Sequence, residues 1–252
     1  MTTASQLDAG LQAQLELASQ IQLSLLPERR CCLSDWEIAF SYEPAGFVSG
    51  DYVDLIPSGA GEFYFALGDV SGKGVAASIL MSHLHATLRT LLPSRQTIAE
   101  VLGMASSTFC HSTLPAQFAT LVLGKADRLG NLELVNAGHT PVILVENRTV
   151  RLIPGTSLPL GMFCTTEFLT TEHHVSPGST LLLYSDGITE STNNAGLEFD
   201  LARVAQGLVL EKSLSAPEIL DAIHRSIVEH TDGAQLSDDR TMLALRWLSK
   251  GL

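Results

Sequence analysis

The stretch from Phe63 to Leu92 restricts the fold more than any other. Phe63-Tyr64-Phe65-Ala66-Leu67 is aromatic and apolar throughout, the composition of a buried strand. Val75 to Leu92 carries apolar residues at helical spacing and contains neither Gly nor Pro, and Pro93 follows it. Gly68-Asp69-Val70-Ser71-Gly72-Lys73-Gly74 must therefore carry the chain from a strand into a helix. It leaves the Asp69 carboxylate where the strand ends, and its glycines let the backbone approach whatever Asp69 grips.

A phosphate-binding loop requires four residues between its first Gly and a Gly-Lys-Ser/Thr triplet. Here only Asp69, Val70 and Ser71 separate Gly68 from Gly72, and Gly74 follows Lys73, so that reading fails on spacing. Gly72 to Ala77 matches the looser G-x-G-x-x-A dinucleotide fingerprint. The acidic residue that should follow about 20 positions later is missing, because no Asp or Glu occurs between Lys73 and Glu100. What remains is a metal ligand, which needs further acids beside it. Ser49-Gly50-Asp51, Tyr184-Ser185-Asp186-Gly187 and Ser237-Asp238-Asp239-Arg240-Thr241 each set an Asp at one end of an apolar strand. Any one of these alone reads as a turn or a helix cap. Four carboxylates at strand ends suit hard divalent cations, which prefer oxygen ligands.

The ordered set Ser49-Gly50-Asp51, Gly68 to Gly74, Asn136-Ala137-Gly138-His139-Thr140-Pro141, Tyr184 to Glu190 and Asp238-Asp239-Arg240-Thr241 resembles the PPM-type metal-dependent Ser/Thr phosphatases. Within them it is similar to the bacterial SpoIIE/RsbU branch, over about residues 33 to 248. The first motif departs from the family's usual Gly-Gly-Asp-Phe-Tyr-Asp, since Val53 replaces an aromatic beside the second acid, Asp54. The resemblance implies an α+β fold of two packed, mainly antiparallel sheets flanked by helices, an αββα sandwich. It also implies two divalent cations, Mn or Mg. Asp69 would bridge both, Asp186 and the carbonyl of Val70 would serve one, and Asp51 and Asp238 the other. The nucleophile would be a metal-bound hydroxide, with no catalytic side chain. Asp54, Asp239, Gly187 and His139 are accessory positions, His139 either facing the phosphate or bracing its corner. The implied substrate is a phosphoserine or phosphothreonine on a partner protein, an anti-sigma factor antagonist. The competing reading is a regulatory binding module of the same fold without catalysis, against which all four carboxylates argue.

The composition agrees. The 252 residues are 45% hydrophobic and carry a net charge of −12, which disfavours nucleic acid and anionic membranes as partners. No apolar run approaches the roughly 20 residues of a membrane span, and the first residues lack a leader pattern, so a cytoplasmic location is expected. Of the cysteines, 31, 32, 110 and 164, none forms a Cys-x-x-Cys pair, so neither zinc nor redox use is expected. None is followed six positions later by Arg, which excludes a cysteine-dependent phosphatase.

Two units are expected, a helical segment over residues 1–30 and a phosphatase domain over 31–252. In the first, Leu7, Leu11, Leu15, Ala18, Ile21 and Leu25 form a stripe on a helix over residues 5–26 that Pro27 ends, with Gln22 largely off it. The stripe is expected to pair with a twin, making a homodimer, rather than to pack on its own domain. Glu28-Arg29-Arg30 reads as a hinge. Helices are further expected over 75–92, 97–112, 200–212 and 217–231, the last capped by Ser215. His83 and His85, two apart on one helix, point to different faces and share no metal.

Overall fold

The computed structural model describes residues 4–94, 97–209 and 214–248. Two antiparallel sheets pack face to face. One has six strands in the order β1 (Arg30–Leu33), β2 (Trp36–Glu43), β11 (Arg240–Trp247), β10 (Thr180–Tyr184), β7 (Val142–Glu146) and β8 (Thr149–Ile153). The other has five, β3 (Asp51–Gly59), β4 (Glu62–Val70), β5 (Ala119–Asp127), β6 (Asn131–Ala137) and β9 (Thr171–His174).

The period of two along each strand explains the apolar runs. Phe63, Phe65 and Leu67 of β4 enter the core between the sheets with Phe40, Leu183 and Leu243. Tyr64 and Ala66, between them in sequence, face outward under α2 (Gly74–Leu91) and α3 (Ile98–Ser112). On the opposite side Met242 and Ala244 of β11 meet α5 (Leu201–Val209) and α6 (Ala216–Thr231). Strands buried on both faces need continuous hydrophobicity, and each outer layer of helices supplies the second cover. The expected αββα sandwich is the fold observed. Ser215 caps α6 as expected, in a capping box with Glu218, and Thr97 with Glu100 does the same for α3.

Three local features correct or extend the sequence reading. β3 runs unbroken from Asp51 through Asp54 and bulges only between Pro57 and Gly59. The supposed hinge ends inside a strand, because Arg30–Leu33 pairs with Trp36–Ala39. A one-turn helix, α4 (Asp186–Thr189), follows β10 directly.

The N-terminal helix α1 (Ala4–Leu25) does not present the expected stripe as one face. Leu15, Ala18 and Leu25 are half-buried and Leu26 packs against the inter-sheet core, so this side of the helix rests on its own domain. Leu11 and Ile21, assigned to the same stripe, are 56% and 58% exposed, as is Leu17 at 57%. Gln22, expected outside the stripe, is 4% exposed. The stripe as read was too broad: its centre faces the domain and its flank faces outward. Among the described residues no helix is long and apolar enough to cross a membrane.

The cysteines add a feature that the sequence reading did not contain. Cys110 near the end of α3 is bonded to Cys164, in the connection between β8 and β9, across a sequence separation of 54. Spacing gave no sign of it, because the pair is made by the fold, which brings the two Cα atoms to 5.2 Å. Cys31 and Cys32 are free. Closing a loop of that length removes entropy from the unfolded chain equivalent to about 4 kcal/mol at most. Urea unfolding under non-reducing conditions should show Cys110→Ser less stable by ~2–4 kcal/mol, and dithiothreitol should bring the wild type to the same midpoint.

Candidate metal centre

Strand pairing builds the site. Asp51, the first residue of β3, lies directly opposite Asp69, near the end of β4. Both share the strand face of Val53, Leu55, Phe65 and Leu67, so they project into the cleft between the sheets. The other sheet contributes from β10 and β11, which are adjacent, with Tyr184 opposite Met242. Asp186 stands just beyond β10 as the first residue of α4, and Asp238 and Asp239 just before β11. Four motifs scattered over the sequence thus meet at one open end of the sandwich.

Hydrogen bonds across the cleft confirm the meeting. One oxygen of Asp51, Oδ2, accepts from Ser185 Oγ at 2.9 Å and from Thr241 Oγ1 at 2.6 Å, both from the opposite sheet. Glycines permit the close approach. A side chain at Gly187 would collide with the Asp239 carbonyl, and one at Gly50 would press on the Val70 carbonyl, Ala77 and Asp69. Gly187 therefore supports the site by its lack of a side chain, while the Val70 carbonyl, expected as a ligand, borders Gly50.

The charges are unbalanced. Asp51 is buried, and loss of solvent followed by the nearness of Asp69 holds its carboxyl well above the usual carboxylate range, against the Thr241 hydroxyl that opposes this. Burial, then Asp186, Asp238 and Asp239, push Asp69 up to about 7. Asp186 is raised by burial and by Asp238. Among the described residues one cation answers them: Lys73 Nζ lies 2.6 Å from Asp238 Oδ2 and also donates to the Ser237 carbonyl at 2.9 Å. A cavity of about 360 Å³, lined by Asp69, Asp186, Asp238, Lys73, Thr120 and His139, opens over the cluster.

A family model described as Stage II sporulation protein E (SpoIIE) matches residues 59–248. The chain belongs to the SpoIIE family. Protein IcfG of Synechocystis is 30% identical over 92% of this chain and 41% of its own length. The phosphoserine phosphatase RsbU of Bacillus subtilis is 25% identical over 94% of this chain and 70% of its own. The chain thus spans less than half of IcfG. Among solved structures, the SiaA-PP2C domain of Pseudomonas aeruginosa superposes with a TM-score of 0.84 at 22% identity, covering 96% of this chain and 98% of that one. The fold is that of a PP2C (PPM) phosphatase domain.

The accessory positions of this SpoIIE-family chain separate. Asp54 sits three residues after Asp51 on β3 and therefore on the opposite face, under α2. There Arg89 grips it with two hydrogen bonds of 2.9 and 2.6 Å, joined by the Tyr52 hydroxyl and the Leu55 amide. It is fully buried, away from the cluster, and braces the sheet against the helix. Asp239 is also occupied, its two oxygens accepting the amides of Ala45 and Gly50 at 2.7 and 3.0 Å. His139 braces its corner, with its amide on Asn136 and its ring 2.8 Å from the Thr120 hydroxyl, and it lines the cavity as well. Burial drives its pKa down to about 4, so it faces the cavity uncharged near neutral pH. His83 and His85 diverge as expected, towards Phe109 and Tyr52 respectively.

Sequence reading passed over Lys73, Ser185 and Thr241 as partners of the carboxylates. All three lie within the recognised motifs, so a search for donors beside each Asp would have found them. Among the described residues no three His, Cys, Asp or Glu side chains close around one point. Asp51 is tied to Ser185 and Thr241, and Asp238 to Lys73. The donor set still suits divalent cations, because it is all oxygen, crowded and short of positive charge.

A pH dependence follows. Asp69 binds a proton more tightly folded than unfolded, since its pKa rises from 3.8 to about 7. Below the lower value the proton is present in both states. Between the two the folded chain holds more protons, so stability falls as pH rises. Thermal melts of metal-free protein should lose Tm steadily from pH 4 to pH 7, and Asp69→Asn should flatten that slope.

Proposed function

We propose that this chain hydrolyses phosphoserine or phosphothreonine on a partner protein, with two divalent cations, Mn or Mg, held by Asp51, Asp69, Asp186 and Asp238. The observation that carries this reading is the convergence of those four carboxylates, three of them with raised pKa values, at one end of the inter-sheet cleft. Bound there, such ions would supply neutralising charge for phosphoryl oxygens and acidify a water molecule. The chain's own groups do the rest. Ser185 and Thr241 fix the rotamer of Asp51, Gly187 lets the Asp238–Asp239 corner approach, and neutral His139 with Thr120 forms the wall of the cavity. The family resemblance and the similarity to RsbU, a phosphoserine phosphatase, support the substrate class. By the same resemblance the partner is an anti-sigma factor antagonist.

The competing reading, a binding module without catalysis, predicts a cluster that has lost carboxylates, and this one keeps all four. Chelator-treated protein should hydrolyse a phosphoserine peptide only after Mn or Mg is restored. Asp69→Asn and Asp186→Asn should each lower turnover by about 100-fold or more at low metal, since the ions contribute several kcal/mol. Full activity of Asp69→Asn in chelator would sink the metal reading, and strong preference for phosphotyrosine would sink the substrate class.

We also propose that residues 1–30 act as a linker that pairs two copies, leaving 31–252 as the phosphatase domain. The support is the exposed flank Leu11, Leu17 and Ile21, which the domain leaves uncovered. Leu17→Asp combined with Ile21→Asp should give a monomer by light scattering with its melting profile intact. A double variant that remains dimeric would remove the helix from the interface.

A further inference from the structure

Among the described side chains of α1, Gln22 alone is fully buried. A buried primary amide must have its donors and acceptor satisfied. Gln22 satisfies its acceptor and one donor in an unusual place, on the backbone of a single residue in the loop before β3. Its Nε2 donates to the Ser49 carbonyl at 2.7 Å, and its Oε1 accepts the Ser49 amide at 2.9 Å. The two bonds copy the pattern of a β-ladder, in a loop where no strand is available to make one. The chain of bonds continues, because the Asp51 amide donates to Ser49 Oγ at 3.0 Å. On its far side the same loop hangs on Asp239, through the amides of Ala45 and Gly50.

We infer that Gln22 is a positioning residue for the metal centre: it transmits the seating of α1 to the Asp51 carboxylate through Ser49. The inference rests on the reading of Asp51 as a ligand. It gives the N-terminal helix a mechanical link to the site that pairing of the helix alone would not provide. The outer flank of α1 is free to meet a partner, while the inner face holds the loop that aims one of the carboxylates. A helix that lifts or turns loses both Ser49 bonds together, since both come from one side-chain amide. The loop then keeps its anchors on Asp239 and the bond from the Val70 amide to the Gly50 carbonyl, and Asp51 keeps its ladder opposite Asp69 and its cross-sheet hydroxyls. Partners that orient a ligand characteristically change metal affinity by 10–100-fold when removed.

The decisive variant is Gln22→Met, which keeps the volume of the side chain and removes both hydrogen bonds. Three measurements on the full chain separate the outcomes. Amide exchange in the metal-free protein should accelerate over residues 45–51. Calorimetric titration of metal-free protein with Mn should show a dissociation constant raised about 10-fold. Leu26→Ala, which trims core packing at the end of the same helix, should lower Tm yet leave the Mn constant within about twofold, so that general loosening is told apart from lost positioning. Gln22→Met with an unchanged Mn constant overturns the proposal even if its Tm drops. Should Gln22→Met fail to fold, Ser49→Ala cuts the next link, and an unchanged Mn constant there overturns it equally. Wild-type protein that takes up no Mn at all would instead overturn the metal reading on which the proposal stands.

Discussion

Asp51 directly opposite Asp69 is the interaction around which the structure is arranged. Like charges facing each other across an antiparallel pair destabilise it, and here Asp51 is buried while Asp69 is only partly exposed. The pairing survives because the rest of the two strands is favourable. From Val53 opposite Leu67 to Leu55 opposite Phe65, the same face feeds the inter-sheet core. Each buried side chain of that kind contributes roughly 1.5–3 kcal/mol. A few such pairs outweigh the repulsion at the open end. The sandwich therefore stores an electrostatic strain at one edge and holds it there with hydrophobic packing. A cation of sufficient charge would relieve it, which is why the arrangement reads as a centre built to receive one.

Much of this was legible in the residues, for a physical reason. Strands covered on both faces must be apolar without interruption, so Phe63–Leu67 and Thr180–Tyr184 announced themselves, and the carboxylates at their ends stood out by contrast. What escaped depended on which face a side chain takes. Asp54 looked like a neighbour of Asp51, and three residues along a strand put it on the other side of the sheet with Arg89. That separation follows from the period of two once β3 is known to run unbroken. Gln22 escaped for the converse reason. A glutamine on an amphipathic helix is ordinarily solvated, and only the tertiary structure supplies the Ser49 backbone that buries it. The Cys110–Cys164 bond escaped in the same way, having no local signature.

The four carboxylates differ in how firmly the fold holds them, and this difference locates the soft point of the site. Asp69 lies on β4, paired on one side with β3 and on the other with β5, where Thr120 stands opposite it. Its backbone is fixed by two ladders. Asp51 begins β3, an edge strand of the five-stranded sheet, and so has a ladder on one side only. An unpaired edge is where a sheet opens most readily. Its remaining anchors come from outside the sheet: Ser185 and Thr241 on the carboxylate, and Ser49 on the amide, which Gln22 holds in turn. Asp238 precedes its strand altogether and takes its partner, Lys73, from the loop after Asp69. The centre is thus rigid at Asp69 and adjustable at Asp51 and Asp238. A control element gains most by acting where the fold holds least, and the buried end of α1 reaches the loop that leads into Asp51.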